Sequence, residues 1–577
     1  MSQTYTLKIG GMAGQGIKSS GLMFAKTAVQ FGYSIFTHTE FPSLIRGGHN
    51  VMQITIGMED VLSPSTVTDL LISLNQDTLT KYAYGLEPGS GIIFDESLVL
   101  DEKKLKREVS VFKMPLFKLA REAGGSEVVI NLLSLGAVMA LWGGDVLVLK
   151  NLIFEEFKDN KKLIDVNTSA VEFGFHYAKE HFVNHIKPIF NVVNKTEPEK
   201  LEKVIMEGNE AVALGAIAAG VQFVSIYPMS PTANILHTLA KYQEKFGYVF
   251  KQTEDEISAV NMAIGAGFAG ARSMTATSGG GFCLMTEGYG LAGMTETPLV
   301  IVDGMRPGPA TGMPTWSEQG DLNFVLNAHQ GDFPKIVLAA GDTQEAFDLS
   351  MLSFNLAEKY QTPVILLIDK NICESYTSLP RLDYSSYKIE RGKLTLDADA
   401  NFMRYQLQKD GVSKRSVPGV GNFFIANSDE HTEIGYSTEE SVDRVAQMQK
   451  RMAKLDTCAL KDMPDPVVYG PKNADVSVVS FGSTKGSILD ALKSYSNVNF
   501  LHLTWLSPFS TEFVSKFLEK AKHVIDVESN YSGQLAGLIR QKTGFEIVDK
   551  LLKFDGRPFF ADEIKNKIDS VLKGKKI

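Results

Sequence analysis

Short apolar runs alternate with helical patterns over most of the chain, and this alternation constrains the fold more than any other feature. Between residues 206 and 380 the runs are FVSIYP, YVFKQ, SMTATS, PLVIVDG, KIVLAA and PVILLIDK, with helical patterns between nearly all of them. Strands that are joined through helices pair in parallel, so the pattern predicts an α/β fold with a parallel sheet. The 577 residues exceed the size of one hydrophobic core, which predicts several domains.

Charge and strand-like runs together divide the chain into three α/β domains, a linker and an arm. Strand-like runs begin at YTLKIG, and a charged segment with a lone proline separates the first domain from the second. The apolar run Val128–Gly144 is expected to be a buried helix, because it is short for a membrane span and contains polar residues. The predicted boundaries are 1–190 for the N-terminal domain, 191–205 for the linker, 206–380 for the central domain, 381–465 for the connecting arm and 466–577 for the C-terminal domain.

Charge and cysteine content exclude several classes of protein. The net charge of −9 argues against a nucleic-acid-binding protein, which usually carries a basic excess. The amino terminus lacks the basic and apolar regions of a signal peptide, and no membrane segment is expected. Cys283, Cys373 and Cys458 are far apart and form no CxxC, which predicts a reducing, cytoplasmic compartment. Three scattered thiols cannot supply the four ligands of a cubane iron–sulfur cluster, so such a cluster would lie on another chain.

Two motifs in the N-terminal domain are candidate anion sites. The sequence GMAGQG places Gly14 and Gly16 between a strand and a helix, where glycines let the backbone approach a phosphate. Its spacing differs from the dinucleotide fingerprint GxGxxG, and a tight turn without a ligand is an alternative interpretation. Arg46, in EFPSLIRGGHN, could hold an anionic group; a loop that packs against another domain is the alternative.

The central domain begins with two motifs at strand-to-helix junctions. Tyr227, Pro228 and Ser230, in IYPMSPT, end a strand, and their exposed hydroxyl and N–H groups could bind a carboxylate. A purely structural alternative makes Ser230 the N-cap of a helix with Pro231 in its first turn. The run TEDE places Glu256 at the start of a helix rich in small residues. Complementing the helix dipole is the alternative explanation for these acids.

Two further junctions in the central domain carry candidate site residues. Ser278 and Gly279, in TSGGGF, follow a strand, and a plain strand-to-helix turn is the alternative. Arg306 and Thr311 lie in DGMRPGPATG, after the next strand. An arginine at the carboxyl end of a sheet can bind a carboxylate through two parallel hydrogen bonds. A surface salt bridge is the alternative for Arg306.

These motifs together resemble one enzyme family over nearly the whole chain. IGGMAGQGIKSSGLMFAK with EFPSLIRGGHN is similar to the gamma domain of 2-oxoacid:ferredoxin oxidoreductases. The central motifs, including PT..EQGDL, resemble the thiamine-binding pyrimidine domain of that family. FGSTKG and VESNYSGQ resemble its transketolase-C-terminal-like domain, where an anion site and interdomain packing are both open. The sequence departs from the family pattern at Ala13, Ser230 and Gly280, where the family has glycine, threonine and proline.

The resemblance implies a role for each candidate residue and no metal site on this chain. Glu256 is the carboxyl that contacts the aminopyrimidine of thiamine diphosphate, where apolar surroundings favour proton sharing. Ser230, Arg306 and Thr311 bind the substrate. The remaining residues bind cofactors, thiamine diphosphate in the central domain and coenzyme A in the N-terminal domain: Tyr227, Pro228, Ser278, Gly279, Gly14, Gly16 and Arg46.

The resemblance also implies a reaction and a partner. The reaction is oxidative decarboxylation of a 2-oxoacid to acyl-CoA and CO2 with reduction of ferredoxin, and a strong reductant would drive it in reverse. The fused gamma–alpha order favours 2-oxoglutarate, with pyruvate or a branched-chain 2-oxoacid as alternatives. No GDG motif for Mg²⁺ is present, so a beta subunit would supply Mg²⁺, the diphosphate site and a [4Fe-4S] cluster in an (αβ)2 heterotetramer. Proteins of other classes, a nicotinamide-dependent oxidoreductase or a non-catalytic scaffold, are the remaining alternatives.

Overall fold

The computed structural model describes residues 4–44, 48–182, 189, 203–420 and 423–574, and it confirms an α/β fold. The chain forms two compact units. The first contains residues 1–206 and 375–381, and the second contains residues 207–374 and 382–577. The strands are β1 (Thr4–Met12), β2 (Ser34–Glu40), β3 (His49–Gly57), β4 (Leu70–Ser73), β5 (Gly91–Asp95), β6 (Ser110–Met114), β7 (Lys203–Glu207), β8 (Phe223–Ile226), β9 (Val249–Gln252), β10 (Ser273–Thr277), β11 (Leu299–Met305), β12 (Ile336–Ala339), β13 (Pro363–Asp369), β14 (Tyr376–Pro380), β15 (Val467–Tyr469), β16 (Val476–Ser480), β17 (Val498–His502), β18 (Trp505–Ser507), β19 (His523–Glu528) and β20 (Asp549–Leu552).

Aspartate or asparagine side chains fix the start of several helices. Asp145, Asn160, Asp255 and Asp342 each accept a hydrogen bond from a backbone N–H in the first helical turn, which satisfies a donor that the helix leaves unpaired. The α-helices are α1 (Ile17–Gln30), α2 (Gln76–Tyr82), α3 (Leu116–Glu122), α4 (Ile130–Trp142), α5 (Val146–Glu156), α6 (Lys161–His181), α7 (Gly208–Ala218), α8 (Ala233–Phe246), α9 (Glu256–Phe268), α10 (Gly279–Met294), α11 (Leu322–Asn327), α12 (Thr343–Tyr360), α13 (Lys370–Glu374), α14 (Ser441–Lys461), α15 (Thr484–Leu492), α16 (Thr511–Lys520), α17 (Gln534–Thr543) and α18 (Ala561–Leu572).

The first unit is built on an eight-stranded mixed sheet with the order β6-β5-β4-β1-β3-β2-β14-β7. Strands β1, β4, β5 and β6 pair in parallel, whereas β3 is antiparallel to both β1 and β2. Helix α4 is the apolar run expected to be a buried helix, and all of its residues except Ala140 are buried. Within the part of the chain that the structure describes, no single helix is long and apolar enough to cross a membrane; Leu116–Glu122 and Glu127–Trp142 pass that test only as a pair, bent by 114°.

The second unit contains a seven-stranded sheet and a five-stranded sheet. The seven-stranded order is β18-β12-β13-β11-β10-β8-β9, and the six runs predicted from the sequence are β8 to β13. The recorded pairs among these six strands are parallel, as predicted. Since β8, β10 and β11 are neighbours, the loops that follow them lie at the same edge of the sheet.

The apolar run NFLHLTW predicts one strand in the C-terminal domain, but the structure divides it between the two sheets of the second unit. Its first part is β17, which pairs with β16 in the five-stranded order β15-β17-β16-β19-β20. Its end begins β18, which lies antiparallel to β12 at the edge of the other sheet. The single-strand prediction was wrong because the chain leaves the first sheet at Leu503 and Thr504, where neither glycine nor proline marks a break.

Candidate active site

Two of the candidate substrate residues, Arg306 and Ser230, meet at the carboxyl edge of the seven-stranded sheet. Arg306 follows β11 and is half-buried, and its Nη1 donates a hydrogen bond of 2.7 Å to the backbone oxygen of Ser230. Ser230 and Thr311 are both exposed. The structural role considered for Ser230 was wrong, because α8 begins at Ala233 and its N-cap is Thr232. The Thr232 hydroxyl donates to the Met229 carbonyl at 3.0 Å, and this turn delays the start of the helix.

The three acids of TEDE have three different environments. Asp255 is the N-cap of α9 and accepts a hydrogen bond of 2.7 Å from the Ser258 backbone. Glu254 is exposed and accepts a bond of 2.7 Å from the Ser258 hydroxyl. Glu256 is only 3% exposed, and its Oε1 has no hydrogen-bond partner within the described residues. Helix capping therefore accounts for Asp255, whereas Glu256 is a buried carboxyl with an unused oxygen, which costs free energy unless a ligand satisfies it.

The glycines of TSGGGF bring the site's acidic side chains close to the backbone. They form the first turn of α10, and a Cβ built on Gly281 would lie 2.6 Å from Oε1 of Glu256. A Cβ built on Gly279 would lie 2.5 Å from Oδ2 of Asp321. At Gly280 the nearest atom to such a Cβ is the Ala310 oxygen, at 3.7 Å. Two of the three glycines are thus required for close packing, and the middle one has room.

Ser278 and Tyr227 complete the described surroundings of this turn. Ser278 is buried, and its hydroxyl oxygen has no hydrogen-bond partner among the residues that the structure describes. Tyr227 is half-buried and Pro228 is exposed, at the end of the neighbouring strand β8. The buried polar groups that this edge of the sheet leaves unsatisfied thus include the Ser278 hydroxyl and the Glu256 carboxyl.

Asp303 and Asp321 lie close to Arg306, and Glu318 lies close to Asp321; sequence reasoning did not single out these carboxyls. Burial and the neighbouring Asp321 raise the pKa of Asp303 well above its usual range, against the lowering effect of Arg306. Burial raises the pKa of Asp321 to about 6, although Arg306 lowers it. Burial and Asp321 raise the pKa of Glu318 to about 7. The site thus combines one cation with carboxyls that gain charge near neutral pH.

The N-terminal candidates lie in the first unit. Gly14 and Gly16 have φ values of 92° and 69°, in the left-handed region that favours glycine, and Gly16 is the N-cap of α1. Asn131 donates a hydrogen bond of 3.2 Å to the Gly16 oxygen. The predicted strand-to-helix turn is therefore present between β1 and α1. Arg46 lies outside the described residues.

Comparisons with known proteins agree with this arrangement. The chain matches a pyruvate ferredoxin/flavodoxin oxidoreductase family over residues 6–177 and the thiamine-diphosphate-binding domain of pyruvate flavodoxin/ferredoxin oxidoreductase over residues 214–451. It is 33% identical to the 2-oxoacid:ferredoxin oxidoreductase alpha subunit of a Sulfolobus species, over 98% of this chain and 96% of that protein. It is 27% identical to the 2-oxoglutarate oxidoreductase subunit KorA of Mycobacterium tuberculosis, over 99% of this chain and 92% of that protein.

A solved structure extends the similarity to three dimensions. The 2-oxoglutarate:ferredoxin oxidoreductase of Magnetococcus marinus, with 2-oxoglutarate, coenzyme A and succinyl-CoA bound, superimposes with a TM-score of 0.92 at 30% identity, covering 99% of this chain and 100% of that chain. The fold and the site define a multidomain α/β protein with a thiamine-diphosphate-binding domain. The chain belongs to the family of 2-oxoacid:ferredoxin oxidoreductase alpha subunits, which are enzymes that work with a partner subunit.

Proposed function

We propose that this chain is the alpha subunit of a complex that oxidatively decarboxylates a 2-oxoacid, with 2-oxoglutarate as the favoured substrate. The products are acyl-CoA and CO2, ferredoxin accepts the electrons, and a strong reductant drives the reverse reaction. The enzyme from Magnetococcus marinus supports this substrate, because it binds 2-oxoglutarate and aligns with nearly the whole chain. The fused gamma–alpha order that the amino-terminal motifs imply also favours this substrate.

The buried carboxyl of Glu256 is the observation that carries the proposal. Its Oε1 has no hydrogen-bond partner among the described residues, and it packs so closely against Gly281 of α10 that a side chain there would not fit. Buried polar atoms in native proteins are normally satisfied, so this oxygen indicates a ligand with a complementary nitrogen. In open α/β sheets ligands enter a crevice outside the carboxyl ends of the strands. In this chain that place lies at the carboxyl ends of β10 and β11 and the amino-terminal end of α9.

The residues of this crevice fit thiamine diphosphate. When bound, this cofactor supplies the carbanion-stabilising group for decarboxylation of a 2-oxoacid. Glu256 would hold a proton at Oε1 against the aminopyrimidine of the cofactor. Burial of the carboxyl keeps water from competing for that proton. Ser278, with its unsatisfied hydroxyl, and Gly279 would line the cofactor together with Tyr227 and Pro228.

Arg306 would bind the carboxylate of the oxoacid. Its bond to the Ser230 backbone uses Nη1 and fixes the guanidinium, while its other N–H groups remain for a bidentate contact with a carboxylate. Ser230 and Thr311 are exposed beside it and would add hydroxyl contacts. The serine hydroxyl at 230 lacks the methyl group of the family's threonine, which leaves more space for the substrate.

The active complex would also need a partner subunit and a coenzyme A site. A beta subunit would supply Mg²⁺ and the diphosphate site, because this chain has no GDG motif, and a [4Fe-4S] cluster, because three cysteines are too few to hold one. Gly14, Gly16 and Arg46 would contribute to a coenzyme A site. An (αβ)2 assembly, a cytoplasmic location and the five domain boundaries stay predictions.

Substitutions of Glu256 and of the nearby Glu254 test the proposed function. The chain is co-purified with its beta subunit, and oxoacid-dependent reduction of methyl viologen is measured with several 2-oxoacids. Glu256→Gln should lower kcat by about 10²- to 10⁴-fold, the usual contribution of a proton-transferring group. Glu254→Gln is the matched control and should leave kcat unchanged, because Glu254 is exposed. Full activity of the Glu256→Gln complex would contradict the proposed function.

A further inference from the structure

Gln319 is fully buried, and every one of its polar groups is hydrogen-bonded to residues at the end of the five-stranded sheet. Its backbone N–H donates to the Ser529 oxygen at 2.6 Å, and its side-chain oxygen accepts from the Ser529 N–H at 2.9 Å. Its side-chain nitrogen donates to the Phe481 oxygen at 2.8 Å. Its backbone oxygen accepts from the side chain of Asn530 at 3.2 Å.

These partners lie where two neighbouring strands end. Phe481 follows β16, Ser529 follows β19, and β16 and β19 pair in parallel, so the side chain of Gln319 spans two adjacent strand ends. Gly482, with a φ of 64°, faces the side-chain nitrogen of Gln319 and has no space for a Cβ. The turn FGSTKG, for which the sequence left an anion site open, is therefore filled at this position by a protein side chain.

Gln319 belongs to the loop between β11 and α11, which also carries Arg306 and Asp321. The same loop is held at neighbouring points: the Ser317 N–H donates to the Gly556 oxygen at 3.0 Å, and the Gln534 side chain donates to the Gly320 oxygen at 2.7 Å. The Arg557 guanidinium lies 3.5 Å from the centre of the Trp316 ring. Since Asp321 is two residues from Gln319, a shift of Gln319 would displace the carboxyl that packs against Gly279.

We propose that Gln319 is a positioning residue through which the five-stranded sheet holds the β11–α11 loop in the conformation that binds the 2-oxoacid carboxylate at Arg306. This role rests on the proposed function. It gives the C-terminal sheet a specific part in substrate binding, although that sheet contributes no residue to the crevice described above. The expected signature is a change in KM for the oxoacid that exceeds any change in kcat or in thiamine diphosphate affinity.

Two substitutions separate this role from a general contribution to stability. Gln319→Met keeps the length of the side chain and removes both hydrogen-bonding groups. Gln319→Glu keeps the acceptor for Ser529 but places a second oxygen against the Phe481 carbonyl, and only the protonated carboxyl can donate there. Asp369 and Glu528, which lie next to Gly482 and Asn530, make ionisation of this carboxyl unfavourable. Lowering the pH should therefore bring KM for the oxoacid in the Gln319→Glu variant back towards the wild-type value. KM of the Gln319→Met variant should stay raised. Each variant is compared with wild type at the same pH.

Gln447 is the matched control, because it is also buried and its side chain donates to a backbone oxygen, that of Tyr405, at 2.9 Å. All variants are studied as complexes with the beta subunit. At a pH where the introduced carboxyl is ionised, we expect KM for the oxoacid to rise about 10- to 100-fold in both Gln319 variants, with a smaller change in kcat. Gln447→Met and Gln447→Glu should lower thermal stability without changing KM.

Other outcomes would contradict either the positioning role of Gln319 or the proposed function. An unchanged KM in Gln319→Met, or equal changes of KM in the Gln319 and Gln447 variants, overturns the positioning role. The same conclusion follows if neither Gln319 variant assembles while both Gln447 variants do, because Gln319 then acts on folding. A wild-type complex that oxidises no 2-oxoacid contradicts the proposed function itself.

Discussion

Gly280 and Gly281 are consecutive residues in the first turn of α10, yet the space around them differs. A Cβ on Gly281 would overlap the carboxyl of Glu256, whereas Gly280 has no close neighbour. We expect Gly281→Ala to displace Glu256 and to lower kcat at least about 10-fold through loss of its proton-transferring role. Gly280→Ala should keep the activity and stabilise the chain by about 0.5 kcal/mol, since alanine loses less backbone entropy than glycine. Turnover and thermal unfolding of the two variants test this pair, and equal activities would contradict it.

The carboxyls on the loop that carries Arg306 predict how oxoacid binding depends on pH. Asp321 and Glu318 have pKa values raised to about 6 and about 7, mainly by burial, so both become charged as the pH rises through this range. Their negative charges oppose the anionic substrate, and KM for the oxoacid should increase between about pH 5.5 and 7.5. Asp321→Asn should weaken this dependence. Steady-state kinetics across the range measures it, and identical pH profiles for wild type and variant would disprove the explanation.

The sequence singled out Glu256, Arg306 and Ser230, and the structure brings Arg306 and Ser230 into contact. It did not single out Asp303 and Asp321, although both stand in the same segment. A carboxyl at the end of a strand has no distinctive local pattern, and the burial of Asp303 and of Oδ2 of Asp321 depends on packing against other elements, such as the close approach of Gly279 in α10 to Asp321. The positions of candidate residues could thus be predicted from motifs, whereas their electrostatic surroundings depend on long-range packing.

Among the elements, helix α14 has a buried face that is largely charged. The sequence predicts a helix from Glu439 to Leu455, and the structure extends it from Ser441 to Lys461. Hydrophobic patterning places charged residues towards solvent, so it could not predict that Lys450 and Lys454 lie 2.6 and 2.7 Å from the fully buried carboxyl of Glu296. The parallel strands were predictable because their apolar runs are local, whereas this ion pair joins distant segments.

This buried cluster makes a prediction about stability. Glu296→Gln leaves two buried lysines without their counter-ion, and we expect a loss of about 3–5 kcal/mol in the free energy of unfolding. Urea denaturation monitored by circular dichroism measures the change. Glu512→Gln breaks an exposed pair with Lys516 and should have no measurable effect. Similar losses in both variants would show that burial of the pair is not the cause.

For the whole molecule, the α/β class and the family could be predicted from motifs spread along nearly the entire chain. The partner of strand β14 could not. Its five residues come shortly after β13 of the seven-stranded sheet, but they pair with β2 in the first unit, and the Tyr376 N–H donates to the Thr37 hydroxyl across a separation of 339 residues. The strand itself was not predicted from the sequence either, and only the assembled sheet decides its partner.

The position of β14 has a consequence for a cut chain. If a protease site is inserted between residues 191 and 202, β14 and β7 stay on the carboxyl-terminal fragment, although both are strands of the first unit's sheet. The cleaved halves should therefore migrate as one species in gel filtration and separate only under denaturing conditions. An amino-terminal fragment produced alone would expose the unpaired edge of β2, which favours aggregation. The carboxyl-terminal fragment supplies the strands that cover this edge, so the two fragments complement each other.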